Sequence, residues 1–304
     1  MNLWSIIASF GGGAFAAAIG GVPAFILTGV FSIVGAVAGM CGATDASAVL
    51  VNHLAFGSFF GPHISFAGAV AAAAYAKKKG YMENGADIVT ALAGLNKFDV
   101  LLVGGAFGVL GCLFKGLVVD NLFAGTLSPR LVTDGPGFTV FVSAIVARLA
   151  FGGKLRTSDK FISSGDVLYN TIVIGITYSL VVAGVYLGVV EGAGLDPSVF
   201  AGLYHVLIFG TAAIGLTFAV AGQPFFGCHH IVIIAAEATV QSYATTHNAF
   251  LALIIGVVFG TLAAIIGDVE GNMINCGTDS HIDNPATAIF IMTFLVNAFF
   301  PAVA

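Results

Sequence analysis

The chain has 304 residues, of which 58% are hydrophobic and 8% are charged, and its formal net charge is −5 at pH 7. Soluble domains carry roughly 25% charged residues, so this composition excludes a soluble globule of this size for want of polar surface. Nucleic-acid binding has no support, because the ten Lys and Arg residues form no basic stripe. We therefore expect an all-α integral membrane protein, with the lipid bilayer as its first partner.

Ten apolar segments follow one another along the chain, and a helix needs about 20 residues to cross a bilayer core. The predicted helices of the first half lie at 3–20, 22–42, 48–76, 98–119 and 136–152, and those of the second half lie at 166–191, 199–221, 226–245, 248–270 and 284–303. The first two are separated at Gly20-Gly21-Val22-Pro23, and the third is interrupted at Gly61-Pro62. The start has a signal-peptide-like composition but no basic residue before its apolar part, so we interpret it as the first membrane segment. Residues 86–92 favour a short surface helix.

The two halves repeat their polar breaks in the same order. Phe59-Phe60-Gly61-Pro62-His63 returns as Phe225-Phe226-Gly227-Cys228-His229, the stretch 120–126 parallels 272–278, and Asp134-Gly135-Pro136 parallels Asp283-Asn284-Pro285. A duplicated unit with matching breaks in apolar segments indicates a binding site or path between two repeats. We predict one membrane domain built from five-helix repeats at 1–160 and 161–304.

The basic residues indicate the orientation of these repeats. None follows Lys160, and most flank the third-to-fourth and fifth-to-sixth connections. With ten helices both connections lie on one side, which the positive-inside rule places in the cytoplasm. Both termini are then extracytoplasmic in a prokaryotic inner membrane. An odd number of helices in each unit inverts the second copy, which predicts an inverted repeat.

Histidines follow both glycine-containing breaks. Gly and Pro favour a helix start or break there, so His63 and His229 would lie in the first turn of half-helices whose positive dipole ends point inward. Such side chains can donate, accept or exchange a proton, and His230 adjoins the second of them. The alternative is that each histidine only caps a helix at the membrane interface.

Carboxylates mark the next candidate positions. Asp134 and Asp283 precede Gly-Pro and Asn-Pro, so they either cap helices only or also line a binding site. Asp268, His281 and Asp283 belong to a polar cluster between two apolar segments, where a solvated loop is the competing interpretation. Asn121 occupies the related region of the first half. Glu237 lies about two turns beyond His229, and it is the strongest candidate for an intramembrane proton or cation site unless it reaches the near interface.

A metal site is a weaker hypothesis. Cys228, His229 and His281 are suitable ligand types for zinc or copper. However, adjacent His229 and His230 would point about 100° apart on a helix, and Pro62 stands where the second half has Cys228. The four cysteines show no CxxC spacing and no disulfide framework is expected.

The stretch from Asn52-His53-Leu54 to Gly61-Pro62-His63, with the run Ala-Tyr-Ala-Lys-Lys-Lys-Gly that follows, resembles an uncharacterised family of polytopic prokaryotic membrane proteins of similar length. The resemblance covers the whole chain and implies no activity or site residues. The five-plus-five inverted plan is also similar in architecture to several secondary-transporter superfamilies, including bile-acid-type carriers and sodium–proton exchangers. A likeness of architecture does not determine function.

The favoured hypothesis is a secondary carrier for a small polar or charged solute, coupled to protons or sodium, and not an enzyme. His63 and His229 would line the site, whereas Asp134, Asp283 and Glu237 would supply the coupling. The alternatives are a passive oligomeric channel for an ion or small solute, associated through Gly/Ala-rich helix faces, and a divalent-metal transporter. No cofactor is expected beyond the coupling ion.

Overall fold

The computed structural model describes residues 2–123, 132–156, 158–200, 202–276 and 279–302. In these ranges all regular structure is helical and no strand occurs, which confirms the predicted all-α class. The helices are α1 Leu3–Ile19, α2 Gly21–Met40, α3 44–55, α4 Ser65–Lys78, α5 Phe98–Phe123, α6 Gly135–Gly152, α7 Asp166–Gly192, α8 Tyr204–Val220, α9 His229–Thr246, α10 Ala249–Met273 and α11 Asn284–Phe299.

Several of these helices suit a bilayer. Among the described residues, α2, α5, α6, α7 and α10 are long and apolar enough to cross a membrane, and α1, α8 and α11 are shorter apolar helices. Large hydrophobic side chains such as Trp4, Phe98 and Phe250 are exposed. Exposed apolar surface of this extent marks a membrane or partner interface, so the fold is compatible with a membrane protein.

A glycine separates the first two helices, as the sequence predicts. Gly20 has φ +101°, and a Cβ there would lie 2.5 Å from the carbonyl oxygen of Val89. Only glycine adopts this conformation without strain. Pro23 then stands in the first turn of α2, where its missing N–H costs little.

The third predicted segment is divided into two helices. α3 ends at residue 55, and α4 begins at Ser65 after a non-helical stretch. Gly57, Gly61 and Pro62 lie in that stretch, where they relax or block helical hydrogen bonding. The interruption predicted at Gly61-Pro62 is confirmed, and it is wider than one turn.

Two helices form the centre of the molecule. Nearly every residue of α4 is buried, and so are the first fourteen residues of α9, 229–242. A helix buried on all sides is enclosed by other elements. α1 and α5 pack around α4, and α7 and α10 pack around α9. The contacts of α2 with α8, and of α6 with α11, join the two groups.

The predicted surface helix at 86–92 is wrong. The Asp87 side chain accepts hydrogen bonds from the N–H groups of Val89 and Thr90, each at 2.9 Å, and a single helical turn begins only at Leu92. An aspartate that bonds the backbone ahead of it competes with helix formation. The N–H of Val22 donates to the carbonyl of Ile88 at 2.8 Å, which fixes this loop against the start of α2.

The two ends of the molecule differ in charge. At the end that we call the basic end, Lys78 donates to the carbonyl of Ala150 at 2.7 Å and Lys77 lies 3.9 Å from Asp279. The C-terminal ends of α4 and α6 therefore meet there. At the opposite end, called the far end, Tyr243 of α9 donates to Glu191 of α7.

Candidate functional site

Two non-helical lead-in segments cross at the centre of the molecule. Residues 132–134 lead into α6 and run antiparallel along α11, where Thr133 donates to the carbonyl of Phe290 at 2.6 Å and Asn297 donates to that of Val132 at 3.0 Å. The lead-in to α11, residues 279–283, lies in turn beside α6, where Arg148 contacts Ser280. As a result, α6 and α11 start next to each other and run to opposite ends.

Arg148 holds the second lead-in segment against α6. Its guanidinium donates to the carbonyls of Ile274 at 2.7 Å and Ser280 at 2.9 Å, and also to the Ser280 hydroxyl. A further bond reaches the carbonyl of Leu155 at 3.0 Å. Arg148 has no exposed surface, so its charged guanidinium stabilises contacts inside the protein.

Aspartates cap both crossing helices. Asp134 accepts from the N–H of Gly137, and Asp283 accepts from that of Ala286 at 2.8 Å. Proline occupies the first turn of each helix, so the predicted capping role is confirmed twice. A Cβ on Gly137 would lie 3.0 Å from the carbonyl oxygen of Ala286. The first turns of α6 and α11 are therefore in close contact, with two carboxylates beside them.

A small cavity of about 30 Å³ lies at this crossing. It brings together both capping aspartates, Pro62 from the break before α4, and His229 from the start of α9. Water needs roughly 10–15 Å³ in such a cavity, so the space suits one or two waters or a small ion. Residues from all four helix interruptions predicted from the sequence therefore line one cavity.

The histidines of the two breaks are buried differently. The ring of His229 packs 4.9 Å from that of Phe25 and lines the central cavity. His63 is 4% exposed and lies with its ring against Gly61, while the neighbouring Pro62 lines the cavity. Neither Nδ1 atom has a hydrogen-bond partner among the described residues. Both nitrogens are therefore available to a bound group or water.

His281 supports one of the capping carboxylates. Its Nε2 lies 3.1 Å from Oδ1 of Asp283, whose other oxygen receives the helix N–H. Both side chains line a second cavity of about 130 Å³ that also reaches His229. His281 and Asp283, which the sequence places in one polar cluster, do lie together.

A wider vestibule opens at the basic end. It measures about 390 Å³ and is lined by His230, Asn284, Pro285, Asn272 and Asp268 among others. The Asp268 carboxylate accepts from the N–H and hydroxyl of Ser163, at 2.8 and 2.6 Å. Asp268 therefore fastens the linker between α6 and α7, while His230 keeps an unpartnered Nδ1 within the described structure.

Glu237 lies in a separate cavity toward the far end. This cavity of about 140 Å³ is lined by Glu237, Gln241, Thr293, Asn297 and His205, among others. Thr293 donates to Glu237 Oε2 at 2.8 Å. Glu237 is 8% exposed, so its side chain is largely enclosed by protein. Among the residues that the structure describes, none lines both this cavity and the central one.

An apolar layer separates the two cavities. Ile233 and Ile289 line the central cavity on α9 and α11, the two helices that run from it toward the far end. With fully buried Met292 they belong to the main hydrophobic core. Ile233 stands one turn from His229 and one turn from Glu237 along α9. The molecule is therefore closed between the central aspartates and the far-end carboxylate.

Asn121 and Cys228 line none of the cavities described above. Asn121 donates to the carbonyls of Gly116 and Leu117 within its own helix. Cys228 lines an apolar pocket with Tyr178 and Val232. Among the described residues, no group of three or more His, Cys, Asp or Glu side chains is placed to hold a metal ion. Residues 124–126 and 277–278 of the duplicated stretch lie outside the described residues.

One family model matches the chain. It describes a family of unknown function, DUF7973, and covers residues 1–161 and 176–302. The chain belongs to this family. No curated protein and no solved structure matches this DUF7973 chain. The resemblance to an uncharacterised family, stated from the sequence, is confirmed.

Several buried polar residues of this DUF7973 protein are not among the site residues predicted from the sequence. Arg148 is one of the basic residues beside the fifth-to-sixth connection, which the sequence assigns to the cytoplasm, yet it is buried in the interior. Glu270 is 5% exposed, and neither of its oxygens has a hydrogen-bond partner in the described ranges. Asn297 lies within the apolar segment 284–303. A polar residue inside such a segment is costly in lipid, and that cost was the available signal.

Proposed function

We propose that the chain crosses the membrane as ten helices in two inverted repeats. α1, α4 and α5 contact one another in the first half, and α7, α9 and α10 contact one another in the second. Across the halves α2 contacts α8 and α6 contacts α11, so we pair the helices of the two halves in chain order. α1 ends at the basic end, where Gly20 meets Val89, whereas α7 begins there beside the linker fastened by Asp268. Opposite directions in paired helices support inversion.

The basic end faces the cytoplasm in this proposal. Lys77 and Lys78 lie at that end beside Ala150. Lys154 and Arg156 follow Ala150 closely in the sequence. The positive-inside rule assigns such a cluster to the cytoplasm. Both termini then lie outside the inner membrane.

We infer that the protein is a secondary carrier for a small polar or charged solute. The observation that carries this function is the crossing of the two lead-in segments at the aspartate-capped starts of α6 and α11. Non-helical backbone within a membrane is tolerated where it lines a cavity or is enclosed by protein. Broken helices that meet between repeats form the substrate and ion sites of known carriers.

The chemistry of the crossing allows both an anion and a cation. Helix N-termini attract negative groups, whereas Asp134 and Asp283 attract a proton or sodium ion. His229 adds a side chain that both donates and accepts. A solute and a coupling ion can therefore meet at one place, with Glu237 as a further coupling carboxylate.

The separated cavities favour a carrier over a passive channel. The vestibule at the basic end and the cavity at Glu237 approach the crossing from opposite sides, and Ile233 and Ile289 lie between the central cavity and the cavity at Glu237. A static pore requires a continuous path. Access that alternates between two sides requires a closed layer in at least one state.

Flux into proteoliposomes tests this function. Proton and sodium uptake would be followed across a panel of small anions, amines and divalent metals, for wild type, His229→Ala and Glu237→Gln. The matched controls are His53→Ala and Glu191→Gln, which change an exposed histidine and a glutamate at the far end. We expect solute-dependent ion uptake that is lost in the two site variants and kept in the controls. Conductance without coupling in all five proteins would instead establish the passive channel.

A further inference from the structure

The far-end cavity gathers buried oxygen atoms. Glu237, Gln241 and Asn297 are 8%, 8% and 4% exposed, and all three line the cavity with Thr293. Gln241 Oε1 and Asn297 Oδ1 have no hydrogen-bond partner among the described residues. Buried polar atoms are normally paired, because each unpaired one costs roughly 1–3 kcal/mol. The two unpaired oxygens around this cavity therefore indicate that a ligand supplies their missing partner.

The orientation of the Asn297 amide is fixed by its other contact. Its nitrogen donates to the carbonyl of Val132 at 3.0 Å, so its oxygen is the atom left over. Thr293 uses its hydrogen on Glu237 Oε2 at 2.8 Å, which leaves the lone pairs of its oxygen free. The Asn297 amide oxygen and the Thr293 hydroxyl oxygen can therefore each accept a contact from a ligand, and neither oxygen has a hydrogen left to donate.

The charge of the cavity restricts the ligand. Glu237 is the only carboxylate among the described lining residues, and a buried charge needs a compensating partner. One carboxylate with neutral amide and hydroxyl oxygens balances a single positive charge. His205 also lines the cavity, but the unpartnered atoms of Gln241 and Asn297 are oxygens, and oxygen ligands suit hard cations rather than transition metals. The cavity of about 140 Å³ has room for such an ion with water.

We propose that this cavity binds a monovalent alkali cation, held by Glu237, Thr293, Asn297 and Gln241 and reached from the far end. As a binding site it is independent of transport. A role for the bound cation in coupled transport rests on the proposed carrier function. The Val132 contact links it to the lead-in segment of α6, so its occupancy bears on the crossing.

Thermal melting of the purified protein in detergent tests the site. Sodium, potassium and choline chloride would be compared at equal ionic strength, since a ligand that binds only the folded state raises the melting temperature. We expect sodium or potassium, but not choline, to raise it in wild type. In Glu237→Gln the apparent affinity should fall by about 100-fold or more, because the loss of a buried charged partner is severe.

A pair of threonine variants separates the site from simple packing. Thr293→Val removes a cavity oxygen, whereas Thr239→Val removes a buried hydroxyl on α9 that bonds its own helix at Ala235. We expect about a tenfold weaker cation response in the first, equal to about 1.4 kcal/mol, and an unchanged response in the second. Equal loss in both would overturn the proposal, as would an equal response to choline.

A second test covers the case in which Glu237→Gln fails to fold. Gln241→Glu adds a carboxylate of nearly the same shape and should make the cavity respond to calcium, which wild type should not do. A wild-type response to calcium stronger than that to sodium would overturn the monovalent assignment. Cation binding without solute-coupled flux would retain this site and reject the carrier, so the two proposals fail separately.

Discussion

Arg148 shows how a single side chain holds the crossing together. Its four hydrogen bonds reach three segments of backbone and the Ser280 hydroxyl. We expect Arg148→Met to lower the free energy of unfolding by more than about 3 kcal/mol, because it leaves buried acceptors unpaired. Arg148→Lys should recover little of this, since an ammonium cannot span the same fork of acceptors. Thermal melting of the detergent-purified variants measures both effects.

Glu270 provides an internal check on that prediction. It interacts electrostatically with Arg148, and removal of one member of a buried pair leaves the other uncompensated. In the Arg148→Met background, Glu270→Gln should therefore restore about 1–2 kcal/mol of the lost stability. A purely additive double mutant would show that the two groups act independently.

The capping aspartates allow stability to be separated from function. Asn caps a helix about as well as Asp, so Asp134→Asn and Asp283→Asn should change the free energy of unfolding by less than about 1 kcal/mol. They remove a charge from the crossing, and we expect solute-dependent ion uptake in proteoliposomes to fall at least tenfold. Stable variants with unchanged uptake would reduce these residues to helix caps.

Among the helices, α1 and α5 pack through glycines at backbone distance. A Cβ on Gly13 would lie 2.2 Å from the carbonyl oxygen of Gly104, whereas a Cβ on Gly11 would meet no atom of the described residues within 4 Å. Gly13→Ala should therefore destabilise the protein by about 1–3 kcal/mol through overpacking. Gly11→Ala on the same helix should be neutral or stabilising by up to about 1 kcal/mol. Melting curves of this pair report the packing directly.

The helices and their breaks could be predicted from sequence for a physical reason. Apolar runs have to bury their backbone hydrogen bonds, and Gly20, Pro62 and Pro285 interrupt those runs visibly. The loop at Asp87 was missed because a side chain that bonds the backbone ahead of it outweighs a weak helical pattern. The two aspartate caps were predictable from the Pro that follows each.

The partners across the molecule could not be predicted in the same way. The contact of Asn297 with Val132, and that of Arg148 with Ile274, join residues more than a hundred positions apart. Both partners are backbone carbonyls, which carry no residue-specific signal. The sequence therefore indicates where helices are interrupted. Which of these interruptions come into contact depends on how whole helices pack.

For the molecule as a whole, the inverted topology predicts that two native cysteines lie on opposite sides of the membrane. Cys41 is exposed at the end of α2, and Cys276 is exposed after α10 near Asp279, which lies 3.9 Å from Lys77. In single-cysteine variants, a membrane-impermeant maleimide should label Cys41 in intact spheroplasts and Cys276 only in inside-out vesicles. The buried Cys112 should react in neither and serves as the control. Labelling of Cys41 and Cys276 from the same side would contradict the ten-helix inverted repeat, because α2 and α10 would then end at the same face of the membrane.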